Sequence, residues 1–226
     1  MKRYDCLKLL APMVDAHMLT VTSLSSNTAF WSDLRREGAN FFGCNMGLCI
    51  PFALGLTAAF PKRKVVALDS DGSLMVDTSS LITVADVNPP NFVMIIMDNG
   101  AYARMGSTFT TRKTDLEKIA QGAGITSTAT VRSEEALTAS VKRSLETSGP
   151  HFIVAKVEPD RVRVKGDPHR TYGRFMRECF ADAVRRHPDY RGKQEPAQGT
   201  DSTENSKRFQ NEEVINFGRK MRKELL

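Results

Sequence analysis

The chain has 226 residues, 41% hydrophobic and 26% charged, which supplies enough apolar side chain for a full core and argues against a wholly disordered protein. No run reaches the roughly 18 apolar residues of a spanning helix, and the start Met1-Lys2-Arg3-Tyr4-Asp5-Cys6 lacks a secretory pattern, so neither membrane nor secretion is expected. The net charge of +6 raises nucleic acid as a partner, but residues 158–226 hold 16 Lys/Arg against 12 Asp/Glu, leaving the rest nearly balanced without a dense basic run.

Residues 2–16 place Leu7, Leu9, Leu10, Met13 and Val14 on a helix interrupted near Pro12, and Met18–Val21 form a first strand. The polar turn Ser23-Leu24-Ser25-Ser26-Asn27-Thr28 follows, which reads equally well as a helix-capping cluster or as a holder of phosphate oxygens. Phe41–Gly47 leads into an apolar helix, Leu48–Phe60. Val65–Leu68 and Phe92–Met97 are short, partly β-branched apolar runs, as expected of buried parallel strands. Between them Leu74, Leu81, Ile82, Ala85 and Val87 recur at helical spacing until Asn88-Pro89-Pro90 stops the pattern. The loop 103–113 carries Arg104, Arg112 and Lys113, and Thr114–Glu117 opens a helix over Asp115–Gln121. Thr128–Val131, Glu134–Glu146 and Phe152–Val157 make a second strand–helix–strand unit. Residues 170–187 align Phe175, Cys179, Phe180 and Val184 on a helix. Residues 188–210 are polar and expected to be flexible, and Glu212–Leu226 has the spacing of an amphipathic helix. The predicted architecture is α/β: a doubly wound parallel sheet of five or six strands over residues 1–158, with a helical, partly flexible C-terminal extension over 159–226.

The polar residues fall at the carboxyl ends of these strands, where open α/β sheets bind ligands. Ser70-Asp71-Gly72-Ser73 ends one strand and opens a helix, so the amides of Gly72, Ser73 and Leu74 predict an anion site there. Asp98-Asn99-Gly100 ends the neighbouring strand. Asp71 offers a carboxylate and Asn99, 28 residues on, an amide oxygen, the hard oxygen donors that magnesium prefers together with phosphate oxygens. Asn-Gly is also a hairpin signal, but residues 101–114 form no clean returning strand.

These residues resemble the diphosphate and metal motif of thiamine-diphosphate enzymes: an Asp-Gly-Ser start, just under thirty residues, an Asn ending, and Tyr102 beyond it. Ser70 stands where the motif has Gly, which Ser tolerates only outside the left-handed backbone region. Met46-Gly47 and Ala53-Leu54-Gly55-Leu56 are similar to the segment that props the coenzyme in its bent form. The resemblance covers residues 1 to about 158 and implies thiamine diphosphate and magnesium (Mg2+) as cofactors. It implies Asp71, Asn99 and the Ala101 carbonyl as metal ligands, and Ser25, Ser26, Gly72 and Ser73 around the diphosphate. It further implies Tyr102 beside the diphosphate, Met46 under the thiazolium, and a carbonyl near Cys44 for the aminopyrimidine.

Members of the family activate the coenzyme with a glutamate on a separate pyrimidine-binding domain. Glu37 is the only Glu ahead of Asp71 here, so that glutamate, and with it a pyrimidine-binding subunit in a heteromer of α2β2 type, is expected from a second chain. The run TTRKTDLEKIAQGAGI, residues 110–125, with Met46-Gly47 and Asp98-Asn99-Gly100, resembles the sulfopyruvate and phosphonopyruvate decarboxylase β-subunit group. The expected activity is non-oxidative decarboxylation of an anionic 2-oxo acid, its second charge met by Arg104, Arg112 or Lys113 if these are more than a solvated loop. A carboligating acetolactate-synthase-like subunit and a non-catalytic cofactor-binding scaffold are the alternatives. A dinucleotide-binding oxidoreductase is weaker, because no Gly-x-Gly-x-x-Gly follows the first strand. Cys6, Cys44, Cys49 and Cys179 form no paired framework, which suits a cytoplasmic protein, and His17, His151, His169 and His187 are scattered. No residue of this chain stands out as a catalytic acid or base.

Overall fold

The computed structural model describes residues 1–35, 37–102, 105–159 and 173–190. Two units divide the chain, Met1–His187 and Pro188–Leu226. The expected helix Glu212–Leu226, together with Arg104 and His169, lies outside the described residues.

Six parallel strands form one sheet: β1 Leu19–Ser23, β2 Ala39–Cys44, β3 Val65–Ser70, β4 Phe92–Asp98, β5 Ser127–Val131 and β6 His151–Lys156, ordered β2-β1-β3-β4-β6-β5. All seven residues of β4 are buried, as a central strand covered on both faces requires. Its side chains alternate between two cores. Phe92, Met94 and Ile96 face α3 (Cys49–Ala59), α5 (Ser80–Val87) and α6 (Leu116–Gly122), meeting Ile50, Ala53, Leu81, Val84 and Leu116. Val93, Ile95 and Met97 face α1 (Arg3–Leu10), α2 (Ser26–Leu34) and α7 (Glu134–Glu146), meeting Leu7, Leu10, Phe30, Trp31, Leu137 and Val141. Helices therefore cover both faces, and the sheet is doubly wound.

The last described helix, α8 (Gly173–Arg185), packs on β2, with Met176 and Val184 buried and Phe180 edge-on to Phe41 at 5.4 Å. Cys179 on the same helix is exposed. No helix among the described residues is long and apolar enough to cross a membrane.

Two elements depart from the expectation. Residues 39–44 do more than lead into a helix: they are the edge strand β2, paired with β1 through a register shift between Val21 and Ser23. The helix expected between β3 and β4 is two, a single turn α4 (Asp71–Leu74) and then α5, because Asp77 accepts from the Ser80 amide at 3.2 Å and starts a second helix. Ile82 and Val87, spaced as if for the core, lie exposed.

From β1 the chain steps outward to β2, then crosses back to β3 on the other side. That reversal opens a crevice at the carboxyl ends of β1 and β3.

Candidate functional site

The register sets Ser70 opposite Met97, so Asp71 and Asp98-Asn99 leave adjacent strands at the same height. Ser70 is extended at φ −126° and ψ 159°, so the serine in place of glycine is unstrained. Its hydroxyl accepts from the Ser73 amide at 3.4 Å. That caps α4 from within and leaves the one-turn helix a weaker anion site than the sequence implied.

Asp71 is fully buried. Its Oδ2 accepts from Thr108 Oγ1 at 2.6 Å and from Thr110 Oγ1 at 3.3 Å, while Oδ1 is buried with no hydrogen bond of normal geometry among the described residues. Burial holds its carboxyl above the ordinary carboxylate range, with the Thr108 bond pulling it down and the Asp98 charge pushing it up. A buried carboxylate oxygen lacking a donor is what a divalent cation would satisfy. Among the described residues no three His, Cys, Asp or Glu side chains could hold a metal together. A cation here therefore needs amide, carbonyl or phosphate oxygens besides Asp71.

The loop after β4 carries amide and carbonyl oxygens of that kind. Asn99 Oδ1 accepts from the Ala101 amide at 3.1 Å, Gly100 turns the chain at φ +65°, and Ala101 faces Ser107 in an isolated antiparallel bridge. Tyr102 closes over the first motif: a Cβ on Gly72 would stand 2.7 Å from Tyr102 Cε1, so only glycine allows the ring to lie there. Asp98 pairs with Lys156 and accepts from Thr110 Oγ1 at 2.8 Å.

The other two strand ends join the same face. Gly47, at φ +79°, donates its amide to Ser73 Oγ at 3.2 Å and so ties the Met46-Gly47 turn to the Asp71 turn; Met46 itself is half-buried. The Cys44 carbonyl accepts from the Leu24 amide at 2.8 Å, which uses one of its two lone pairs. A cavity of about 500 Å³ flanks this segment, lined by Gly43, Cys44, Asn45, Pro51 and Arg177 among others. Ser25, which precedes α2, sits at φ 76° and ψ −133°, a conformation costing a non-glycine residue about 1–3 kcal/mol. Buried bonds beneath it hold it there: Asn27 donates to Ser23 Oγ and the Leu68 carbonyl, both at 3.2 Å, and Thr28 to the Ser23 carbonyl at 2.9 Å.

The structure thus brings Ser25, Ser26, Cys44, Met46, Asp71, Gly72, Ser73, Asn99, Ala101 and Tyr102 to the carboxyl ends of β1–β4. Arg112 and Lys113 are exposed. The three described histidines lie elsewhere: His17 is bonded to His187 at 2.7 Å, and His151 sits between Ser127 and Thr147. Thr108 carries no signal in the sequence beyond a threonine-rich loop, and Thr110 enters it only as the first residue of the run 110–125.

Residues 26–155, more than half the chain, match the family model described as thiamine pyrophosphate enzyme, C-terminal TPP binding domain. The chain belongs to that family. The TPP-binding domain shows in individual relatives too. It is 32% identical over 161 residues to the sulfopyruvate decarboxylase subunit beta of Methanocaldococcus jannaschii, covering 70% of this chain and 85% of the relative. A sulfopyruvate decarboxylase from Methanosarcina acetivorans is 33% identical over 172 residues, 74% of this chain but 44% of that longer protein. A phosphonopyruvate decarboxylase from Streptomyces hygroscopicus is 31% identical over 165 residues, 71% of this chain and 41% of the relative. Among solved structures, one from Mycobacterium smegmatis, described as a thiamin diphosphate-dependent enzyme, shares the fold with a TM-score of 0.61 at 24% identity, over 71% of this chain and 32% of that one.

Proposed function

We propose that this TPP-binding domain is the diphosphate-binding subunit of a magnesium-dependent decarboxylase acting on an anionic 2-oxo acid of the sulfopyruvate or phosphonopyruvate kind. The observation that carries it is the buried Asp71 Oδ1, without a hydrogen bond of normal geometry, beside the Asn99–Tyr102 loop. Asp71, Asn99 and the Ala101 carbonyl hold the cation; Ser25, Ser26, Gly72, Ser73 and Tyr102 receive the diphosphate. Met46 supports the thiazolium, and the second lone pair of the Cys44 carbonyl accepts from the aminopyrimidine. Thiamine diphosphate, when bound, supplies the electron sink for the bond lost with carbon dioxide.

The activating glutamate comes from a partner subunit. Glu37 is exposed and sits just ahead of β2, at the amino end of the sheet and away from the site. Leu48, Val76, Met105 and Phe109, which follow β2, α4 and β4, are exposed apolar side chains at the site's own end of the sheet and suit a protein surface that closes over it. The relatives named as subunit beta, matched over most of their length, support the same division.

The test is reconstitution of the full chain with a glutamate-bearing pyrimidine-binding partner, thiamine diphosphate and Mg2+. Carbon dioxide release from sulfopyruvate or phosphonopyruvate is expected, and Asp71→Ala should abolish Mg2+-dependent coenzyme binding without unfolding the chain. Acetolactate from pyruvate instead would select the carboligating alternative, and tight binding without any turnover would select the scaffold.

A further inference from the structure

We infer that Thr108 and Thr110 are positioning residues for the cation: they tether one oxygen of Asp71 so that the other faces the metal. This inference rests on the reading of Asp71 as a cation ligand.

Thr108 belongs to the loop after β4, yet it is 1% exposed, and a hydroxyl buried in a loop is costly unless it is bonded. Its bond goes to Asp71 Oδ2 at 2.6 Å, across 37 positions of sequence. Thr110 Oγ1 stands 3.3 Å from the same oxygen, 2.8 Å from Thr108 Oγ1 and 2.8 Å from Asp98 Oδ1, and Asp98 is in turn paired with Lys156. The two hydroxyls therefore link the tips of β3, β4 and β6. The hydrogen bonds of normal geometry to the Asp71 carboxylate, from Thr108 and Thr110, are both on Oδ2, and Oδ1 has none. The terminal torsion of an aspartate is broad, and a fixed donor on one oxygen is what sets the direction of the other.

The loop itself is folded so that one segment serves both purposes. Thr108 donates its amide to the Gly100 carbonyl at 2.9 Å, Ser107 pairs with Ala101, and Thr111 packs over Gly100, where a Cβ would come within 2.6 Å of Thr111 Cγ2. Asn99 and Ala101, the proposed ligands from the second strand, are thus tied by backbone bonds to Thr108, the tether of the ligand from the first. Loss of the tether should weaken the cation without removing any ligand.

The experiment is Mn2+ binding by the full chain in saturating thiamine diphosphate, read by electron paramagnetic resonance, alongside the melting temperature of the cofactor-free chain. Thr108→Val should weaken Mn2+ about 10- to 100-fold, the range found for second-sphere partners of metal ligands, while Thr108→Ser, which keeps the hydroxyl, should stay near wild type. Thr110→Val, at a half-buried position, gives the same readout if Thr108→Val fails to fold. Valine variants that lower the melting temperature but keep wild-type Mn2+ affinity, while Asp71→Asn loses it, would overturn the inference and leave the preceding reading standing. Asp71→Asn that also keeps wild-type affinity would remove that reading, and the inference with it.

Discussion

Asp69 shows how a single buried carboxyl near this site weighs on stability. It is fully buried at the end of β3, with Oδ1 accepting from the Ser70 amide at 2.8 Å and Oδ2 lacking a hydrogen-bond partner of normal geometry. Burial pushes its carboxyl up to about 6, with Ser73, Ser70 and Ser23 pulling the other way. An unfolded chain would release that proton near pH 3.9, so between roughly pH 4 and 6 the folded state binds a proton that the unfolded state does not. Stability from this group is therefore gained as pH falls through about 6 toward 4, and lost as pH rises through that window. Asp69→Asn should flatten the slope and leave the cofactor-free chain more stable at pH 7; denaturant midpoints of the two proteins from pH 4 to 7 check it, and parallel curves would contradict it. Chemical type and spacing made Asp71, Asn99 and the Gly72 turn legible from sequence. Thr108 was not legible, because a hydroxyl declares its role only through a partner, and this partner is 37 positions away.

Among the elements, legibility followed burial. β3, β4 and β6 are covered on both faces, so their apolar runs are continuous and could be placed from sequence. β2 sits at the edge, has Asn40 and Gly43 inside it and pairs irregularly, so it lacked that run. The break between α4 and α5 was hidden because helical spacing carries across it; the cue is the Asp77 side chain, a local cap rather than a change in hydrophobicity. α7 was legible at both ends. Ser133 accepts from the Ala136 amide at 3.2 Å, and Glu134 and Glu135 stand in the first turn. Ser133→Ala should cost about 1 kcal/mol, measured by urea denaturation. A change near zero would mean that Leu137 and Val141, packed in the core beneath the helix, hold that end by themselves.

For the whole molecule, strand order decides where function can sit. The sequence supported a doubly wound sheet, but the order β2-β1-β3-β4-β6-β5, and with it the crevice at β1 and β3, depends on crossings that no local pattern encodes. Four loops meet at that end of the sheet, and the turn after β3 is joined to the turn after β2 by the Gly47–Ser73 bond and to the loop after β4 by Tyr102 lying over Gly72. The family assignment points to the coenzyme; in the proposed reading, this arrangement receives its charged end. The most direct measurement is the anomalous difference density of crystals grown with thiamine diphosphate and Mn2+. A single peak about 2.1 Å from Asp71 Oδ1, shared with Asn99 and the Ala101 carbonyl, is the predicted result. Bound coenzyme with no ion at Asp71, or an ion held elsewhere, would contradict it.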